Sequence, residues 1–437
     1  MKKVNKMKFG VAILAVSLMV GTVSCKKKGC TDSTATNYSD SAKKDDGSCE
    51  YVSVSNGNTI VSGSVTSNQT WTADKIYELS GKVVVGNGIT LTIESGTIIK
   101  GRTGTGTLAS ALIIAQGGKI DAVGTASQPI IFTSVLDNIQ VGQFSGTNLD
   151  ENDNGKWGGV IILGKAPISA QDGDVLSQIE GIPVTDAFGA FGGSDASDNS
   201  GTMKFVSIRH GGALIGAGNE INGLTLGGVG TGTVISDIEV VANLDDGIEF
   251  FGGTVNVSNV LIGYQGDDGL DIDMNYAGTV ENFIVVNGNS SDEAMEIDGP
   301  EGTTNTTGMF TLLNGNAYAF GGTPANADFK SKAQGTLTNV KFGTAKVRAS
   351  YQNDCQDAKT DAFTHYTDGA PTLVINGEYS TVLIYTGSTD NAGVNACTVF
   401  AADQTAAETV RTNSQATITP VDATIFSWTW MSVKGKM

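Results

Sequence analysis

Acidic side chains recur in step along the middle of the chain. Asp245-Asp246 with Glu249, Asp267-Asp268 with Asp271, and Asp292-Glu293 with Glu296 keep the same internal spacing, and Asp273 and Asp298 follow the last two groups. The segments that carry them align on Thr233, Thr254 and Thr279, at offsets of 21 and 25 residues. If each segment is one turn of a stack, three acidic columns arise. They are Asp245, Asp267 and Asp292; Asp246, Asp268 and Glu293; and Glu249, Asp271 and Glu296. Neighbouring strands lie about 4.8 Å apart, and like charges held that close repel. Such columns require a bound cation, protonation, or donors from backbone and solvent.

Two chemistries suit this pattern. A hard cation such as Ca²⁺ takes six to eight oxygen ligands, and Asn243, Asn287 and corner carbonyls could add to the carboxylates. Alternatively, two carboxyls could hydrolyse a glycosidic bond, with Asp246 and Asp268 as candidates. One rung apart they would sit near about 5 Å, the retaining geometry; two rungs apart gives about 9.6 Å, within the inverting range. A uronate-cleaving hydrolase or a lyase also needs a basic group. No Arg or Lys follows within these coils, so Arg209 and His210, one coil upstream in SIRHGG, are the nearest candidates. Their plainer role is a corner pair that neutralises acids or binds carbonyls. The columns likewise have a plainer reading as a solvated or ion-stabilised wall. Asp150, Asp153 and Asn154 resemble part of a calcium loop but lack its Gly and terminal Glu, so that loop and SDASDNS at 194–200 read as exposed excursions.

The elements that would position these residues are short strands. Gly is abundant at 58 residues and Pro scarce at 7, which suits tight corners rather than disorder. Runs such as TLTIESGTIIKG, PIIFTSV and WGGVIILG are β-branched and punctuated by Gly and Asn. A unit of twenty-odd residues with two or three such runs predicts a coil of an all-β, right-handed parallel β-helix; leucine-rich repeats would show a Leu and Asn ladder, and propeller blades run to roughly 40 residues. Alternation puts Ile248, Phe250, Leu270, Ile272, Met295 and Ile297 inside, and Glu249, Asp271, Asp273, Glu296 and Asp298 outside. The open ends need covers. Trp71 is expected in the first, the FSWTW stretch with Trp428 and Trp430 in the second, with a short helix over 404–411.

From about residue 58 the chain resembles secreted β-helix proteins of Bacteroidetes and other Gram-negative bacteria. The shared stretches include LTIESGTIIKG, SALIIAQGGKI, WGGVIILGKA, NEINGLTLGGVG, LDDGIEFFGG, GDDGLDID and the terminal FSWTW. The resemblance implies a β-helix on an exported protein and no particular reaction. Asp246, Asp267 and Asp268 are superficially similar to the Asp residues that pectin-degrading β-helix hydrolases carry on adjacent coils. Residues 30–51, CTDSTATNYSDSAKKDDGSCEY, resemble a short cysteine-bounded repeat of Bacteroidetes surface proteins. Asp32, Asp40, Asp45 and Asp46 there could wrap Ca²⁺, or simply be solvated.

The N-terminus reads as an export signal. Basic Met1 to Lys8 precedes an apolar stretch from Phe9 to Val23 that is short for a membrane span. It ends in Thr22-Val23-Ser24-Cys25, which resembles a lipobox with Thr in place of the usual Leu; Cys25 is then the lipid attachment point. An uncleaved anchor or an ordinary signal peptide is the alternative. An exported chain meets an oxidising compartment, and chain order favours disulfides Cys30–Cys49 and Cys355–Cys397. The expected organisation is signal peptide 1–24, tether 25–29, disulfide-bounded module 30–51, β-helix 52–340, and terminal coils and cap 341–437.

Removal of residues 1–24 takes the net charge from −18 to −22, which disfavours nucleic acid. The expected function is a lipid-anchored outer-membrane protein, on the surface or periplasmic face, with a Ca²⁺-stabilised body that binds glycans or surface ligands. The alternatives are a polysaccharide hydrolase or lyase, and a purely structural envelope protein.

Overall fold

The computed structural model describes residues 27–31, 38–44, 57–215, 220–349, 362–368, 372–386 and 401–437. The chain divides into two compact units, Met1–Ser53 and Val54–Met437. In the first, Lys28 and Lys44 form a parallel bridge, and Cys30 is buried and disulfide-bonded. Cys25, Cys49, Cys355 and Cys397 lie outside the described residues, as do Asp32, Asp45 and Asp46.

The second unit is a parallel β-helix. Its strands stack into three faces, and every pairing within the stack is parallel. The face that carries the acids is built from short strands in strict succession. These are Ala111–Ile114, Val160–Leu163, Leu224–Gly227, Ile248–Phe251, Leu270–Asp273, Met295–Ile297, Ala327–Phe329, Thr344–Ala349 and Thr381–Thr386. The other two faces share long strands such as Val234–Val241 and Asn256–Gly263, each bent in the middle. The inward column of Ile248, Phe250, Leu270, Ile272, Met295 and Ile297 is fully buried in one continuous core. Each parallel ladder satisfies the backbone of the next, so the stack propagates without helical cover.

The bend in the long strands is an αL residue on successive coils. Asp237, Asn259, Asn282, Asn314 and Asn339 have φ of 55–57°, a region that Asn tolerates better than other non-glycine residues. Their amides form a ladder: Asn259 donates to Asp237 at 3.0 Å, Asn282 to Asn259 at 3.2 Å, Asn314 to Asn282 at 3.2 Å and Asn339 to Asn314 at 2.8 Å.

The register corrects the spacing read from the threonines. Val234 pairs with Asn256, so Thr233 stands opposite Val255 rather than Thr254. Coil length varies in the loops: Val257 pairs with Val280, 23 residues on, and Leu270 with Met295, 25 residues on, so the extra residues fall before Val280 and between Val286 and Met295. The acidic columns survive because they belong to the short-strand face, where Glu249 pairs with Asp271 and Asp271 with Glu296.

The ends are closed partly as expected, with the helix predicted over 404–411 found as Ala401–Ser414. Trp71 lies inside the first coil, stacked on Tyr77 at 4.8 Å. At the other end the helix Ala401–Ser414 covers the last strand: Glu408 accepts from Val382 N at 3.1 Å, and Gln404 donates to Val382 O at 2.7 Å. The FSWTW segment does not close this end. It returns along the flank of the stack, where Phe426, Trp430 and Met431 pack on Val241, Leu261, Ile284 and Val286. Those strands are apolar on both sides because both sides are covered.

Candidate cation site

Each acidic group sits at the corner leading into a short strand. There the side chain does structural work first. Asp246 Oδ1 accepts the N–H of Asp268 at 2.9 Å, and Asp268 Oδ1 accepts that of Glu293 at 2.7 Å. Asn243 and Asn287 spend their amide N–H groups on corner carbonyls, Asn243 on Asp246 O at 2.8 Å and Asn287 on Asp292 O at 2.8 Å. The Oδ1 of Asn287 is itself taken by Gln265. Neither asparagine lines the cavity described next.

The ladder is not uniform along the stack. Towards the C-terminal coils it is neutralised: Lys346 pairs with Glu293, Lys330 with Glu296, and Arg348 with Asp328 at 2.5 Å. These cations come from later coils, past the segments that carry the acidic columns. One or two coils earlier, no ion pair reaches Asp245, Asp246, Glu249, Asp267 or Asp271 among the described residues. These five meet Glu180 and Glu220 around a cavity of about 240 Å³ with seven carboxylates in its lining. Asp246, Glu249 and Asp271 are buried and form the floor, whereas Asp267 and Glu180 are exposed at the rim. Glu249 accepts from Asn222 Nδ2. Asp271 is only 9% exposed, and its Oδ1 is buried with no hydrogen-bond partner.

Burial and crowding both oppose ionisation here. Burial, then Glu180, Asp267 and Glu220, push Asp245 up to about 7. Burial, then Asp267 and Asp292, take Asp268 to about 8. Asp246, Glu249 and Asp271 are raised well above the carboxylate range, by burial first and then by a neighbouring carboxylate: Asp245 for Asp246, Asp246 for Glu249 and Asp273 for Asp271. Two trios, Asp245–Asp246–Asp267 and Asp246–Glu249–Asp271, each place ligand oxygens within 4.8 Å of one another. That spacing fits oxygens around one Ca²⁺, which lie about 2.3–2.6 Å from the ion.

The remaining expected residues are elsewhere on or off this face. Asp273 and Asp298 follow on the same face but do not line the cavity; burial raises both, Asp298 to about 7. Asp292 is exposed at its corner. Arg209 and His210 are buried on the flank under the C-terminal segment. Arg209 donates to Ser207 Oγ at 2.7 Å and to Phe144 O at 2.9 Å, and its guanidinium stands 4.0 Å from Glu239. His210 Nδ1 lies 2.7 Å from Asp153 O, and its ring meets Trp430 edge-on. The polar contacts of both are with flank and loop groups, the carbonyls of Phe144 and Asp153 among them, and not with the acidic columns. Asp150 and Asp153 are spent on their own loop, Asp150 N donating to Asp153 Oδ2 at 3.0 Å and Asn152 N to Asp150 Oδ1 at 2.9 Å.

Glu180 and Glu220 were invisible to the repeat because they lie on excursions between coils. Glu180 lies between the two strands of a small antiparallel pair, Ser177–Gln178 with Ala190–Phe191. Its neighbours Ile179 and Ile182 are held in an apolar cluster with Ile168, Ile215 and Ile221.

The family described as a pectate-lyase like beta helix domain matches residues 63–429. No curated protein matches the sequence. Among solved structures, the crystal structure of the pectin methylesterase from Aspergillus niger is similar over 84% of this chain and 88% of its own, with 14% identity and a TM-score of 0.25.

Proposed function

The chain belongs to the pectate-lyase-like β-helix family, and from that premise we propose that it is an exported lipoprotein whose β-helix holds Ca²⁺ and presents its flank to glycans or other surface ligands. A fold hosts many functions, so the reading rests on the site. The observation that carries it is the cavity of seven carboxylates, with the buried Oδ1 of Asp271 unpartnered inside it. A buried carboxylate oxygen with no donor costs stability. A divalent cation is the group that would repay several such oxygens together. Asp245, Asp246, Glu249, Asp267 and Asp271 are the residues that would hold it, and its charge would keep them ionised at neutral pH. Cys25 supplies the lipid tether in this reading, and a tethered rigid stack suits display on either face of the outer membrane.

Metal analysis of the purified protein, with thermal melting in EDTA and in Ca²⁺, tests the cation. Bound metal and a large Ca²⁺-dependent rise in melting temperature are expected. No metal and no shift would overturn it. Cys25→Ala should abolish incorporation of labelled palmitate, and a labelled variant would overturn the tether. Glycan-array binding that persists equally in EDTA would separate ligand recognition from the ion.

A second reading, a polysaccharide hydrolase or lyase, is favoured by one observation. Lys330, Lys346 and Arg348 stand on the acidic face, two to three strands along from the cavity floor. They place positive charge beside the acids, where an anionic polymer laid along the stack would meet both. Turnover of uronate polymers that Asp271→Asn removes while binding survives would favour it.

A further inference from the structure

We propose that the C-terminal segment, residues 421–437, is an acid-released clasp: protonation of His210 frees it from the flank of the stack and bares the apolar strip that it covers. The proposal stands apart from the cation reading, because no residue that lines the acidic cavity takes part in it.

His210 lies in a buried cluster where three stretches of chain meet. It follows the strand Gly201–Arg209 in the left-handed region, at φ 60°. The first stretch is the flank itself, with Arg209 beside His210 and Glu239 beside Arg209. The second is the loop between the strands Ile130–Ser134 and Val160–Leu163. Lys100 holds that loop through the carbonyls of Asp137 at 2.7 Å and Ile139 at 2.8 Å. Asp137 and Asp153 of the loop face the imidazole. Lys156, paired with Asp153 at 3.6 Å, donates its N–H to His210 O. The third stretch is the terminal segment. Trp430 closes edge-on over the His210 ring at 6.2 Å, and the exposed Lys434 stands 5.8 Å from the centre of the Trp430 ring. His210 is only 1% exposed, so the segment is part of what keeps water from the imidazole.

The formal charges of the closed cluster cancel, Lys100 and Arg209 against Asp137 and Glu239, with Lys156 and Asp153 paired beside them. A proton on His210 adds a positive charge that no acid of the cluster is left to balance. Burying an unbalanced charge is costly. Donors are already in excess: among the described residues, Arg209 Nη2 is buried without an acceptor. Burial holds His210 below its ordinary value of 6.5 against the pull of Asp137 and Asp153, and Arg209 adds to the shift. When the segment lifts, water reaches the imidazolium and the ordinary value returns. The closed form thus binds fewer protons than the open one, and the stability of closure is lost as pH falls below 6.5. Release uncovers Val241, Leu261, Ile284 and Val286.

The test is acrylamide quenching of tryptophan fluorescence in the full protein between about pH 8 and about pH 5. All four tryptophans are buried, and two of them, Trp428 and Trp430, lie in the segment. Those two should become quenchable in one reversible step below pH 6.5, with the far-ultraviolet circular dichroism of the stack unchanged. His210→Asn places a neutral amide donor near the position of Nδ1 and suits the left-handed backbone; it should abolish the step. Should that variant lack wild-type circular dichroism at about pH 8, Asp137→Asn reads the same balance. Removing an acid that faces His210 should move the step to higher pH. No step in wild type, a step unchanged by the substitution, or a step that coincides with loss of the β-helix signal overturns the proposal.

Discussion

Asp246 and Asp268, one coil apart, are joined by a hydrogen bond of 2.9 Å from the backbone N–H of Asp268 to Oδ1 of Asp246. Asp268 repeats the contact with Glu293 at 2.7 Å. The column that looked most like catalytic machinery therefore also supplies side-chain rungs that hold successive corners in register.

Asp268 separates the two roles. Asp268→Asn keeps an acceptor for Glu293 N and removes a charge that burial and Asp267 disfavour. It should leave the metal-free melting temperature at pH 8 unchanged or higher. Asp268→Ala strands a buried N–H and should cost about 1–3 kcal/mol in urea unfolding. Equal destabilisation by both would sink the account of the corner.

The acidic cluster also fixes how stability changes with pH. Asp245 and Asp298 are raised to about 7 and Asp268 to about 8, above an unfolded value near 3.8. The folded state then binds more protons than the unfolded one between those limits. The stability these groups contribute is full below about pH 4 and is lost as pH rises through the folded values. Metal-free protein should melt progressively lower from about pH 4 to about pH 8, and the increment given by Ca²⁺ should grow over the same range. A Ca²⁺ increment that is flat with pH would contradict this.

The parts of the molecule legible in the sequence are those set by period. Alternation placed Ile248, Phe250, Leu270 and Ile272 inside, and the repeat put Glu249, Asp271 and Glu296 in one column, as the register has them. What was not legible depends on excursions and on distant coils. Glu180 reaches the cavity from a loop with no counterpart on other coils. Lys330, Lys346 and Arg348 neutralise one end of the column from sequence positions past the acidic repeats. The docking of the terminal segment has a signal in the sequence. EVVAN, VLIGY and FIVVN are apolar at successive positions, as strands are when both faces are buried. For the same reason Arg209 and His210 looked available when they lie beneath that segment.

The asparagine ladder gives a backbone prediction. Asn282 has φ 56°, donates to Asn259 and accepts from Asn314. Asn282→Gly loses the two hydrogen bonds, about 0.5–1.5 kcal/mol each. Asn282→Ala loses them too and adds about 1–2 kcal/mol of αL strain. Urea unfolding should therefore rank wild type above Gly above Ala. Ala equal to or better than Gly would mean that the corner relaxes out of the left-handed region.

The last prediction concerns the anchor of the C-terminal segment. Glu239 is fully buried, faces Arg209, and accepts the backbone N–H groups of Trp430 at 3.0 Å and Met431 at 2.8 Å. Replacing it with Ala removes those acceptors and leaves the Arg209 guanidinium without its carboxylate in a dry site. Breaking a buried pair in this way costs about 3–5 kcal/mol. The loss should be accompanied by release of the segment, because its first helical turn loses the carboxylate that holds both N–H groups. Trypsin should then cut after Lys434 and Lys436 faster than in wild type, well before the β-helix unfolds by circular dichroism. A loss below about 1 kcal/mol, the range of an ordinary surface substitution, would show that the apolar contacts of Phe426, Trp430 and Met431 hold the segment without Glu239. Unchanged cleavage would show the same.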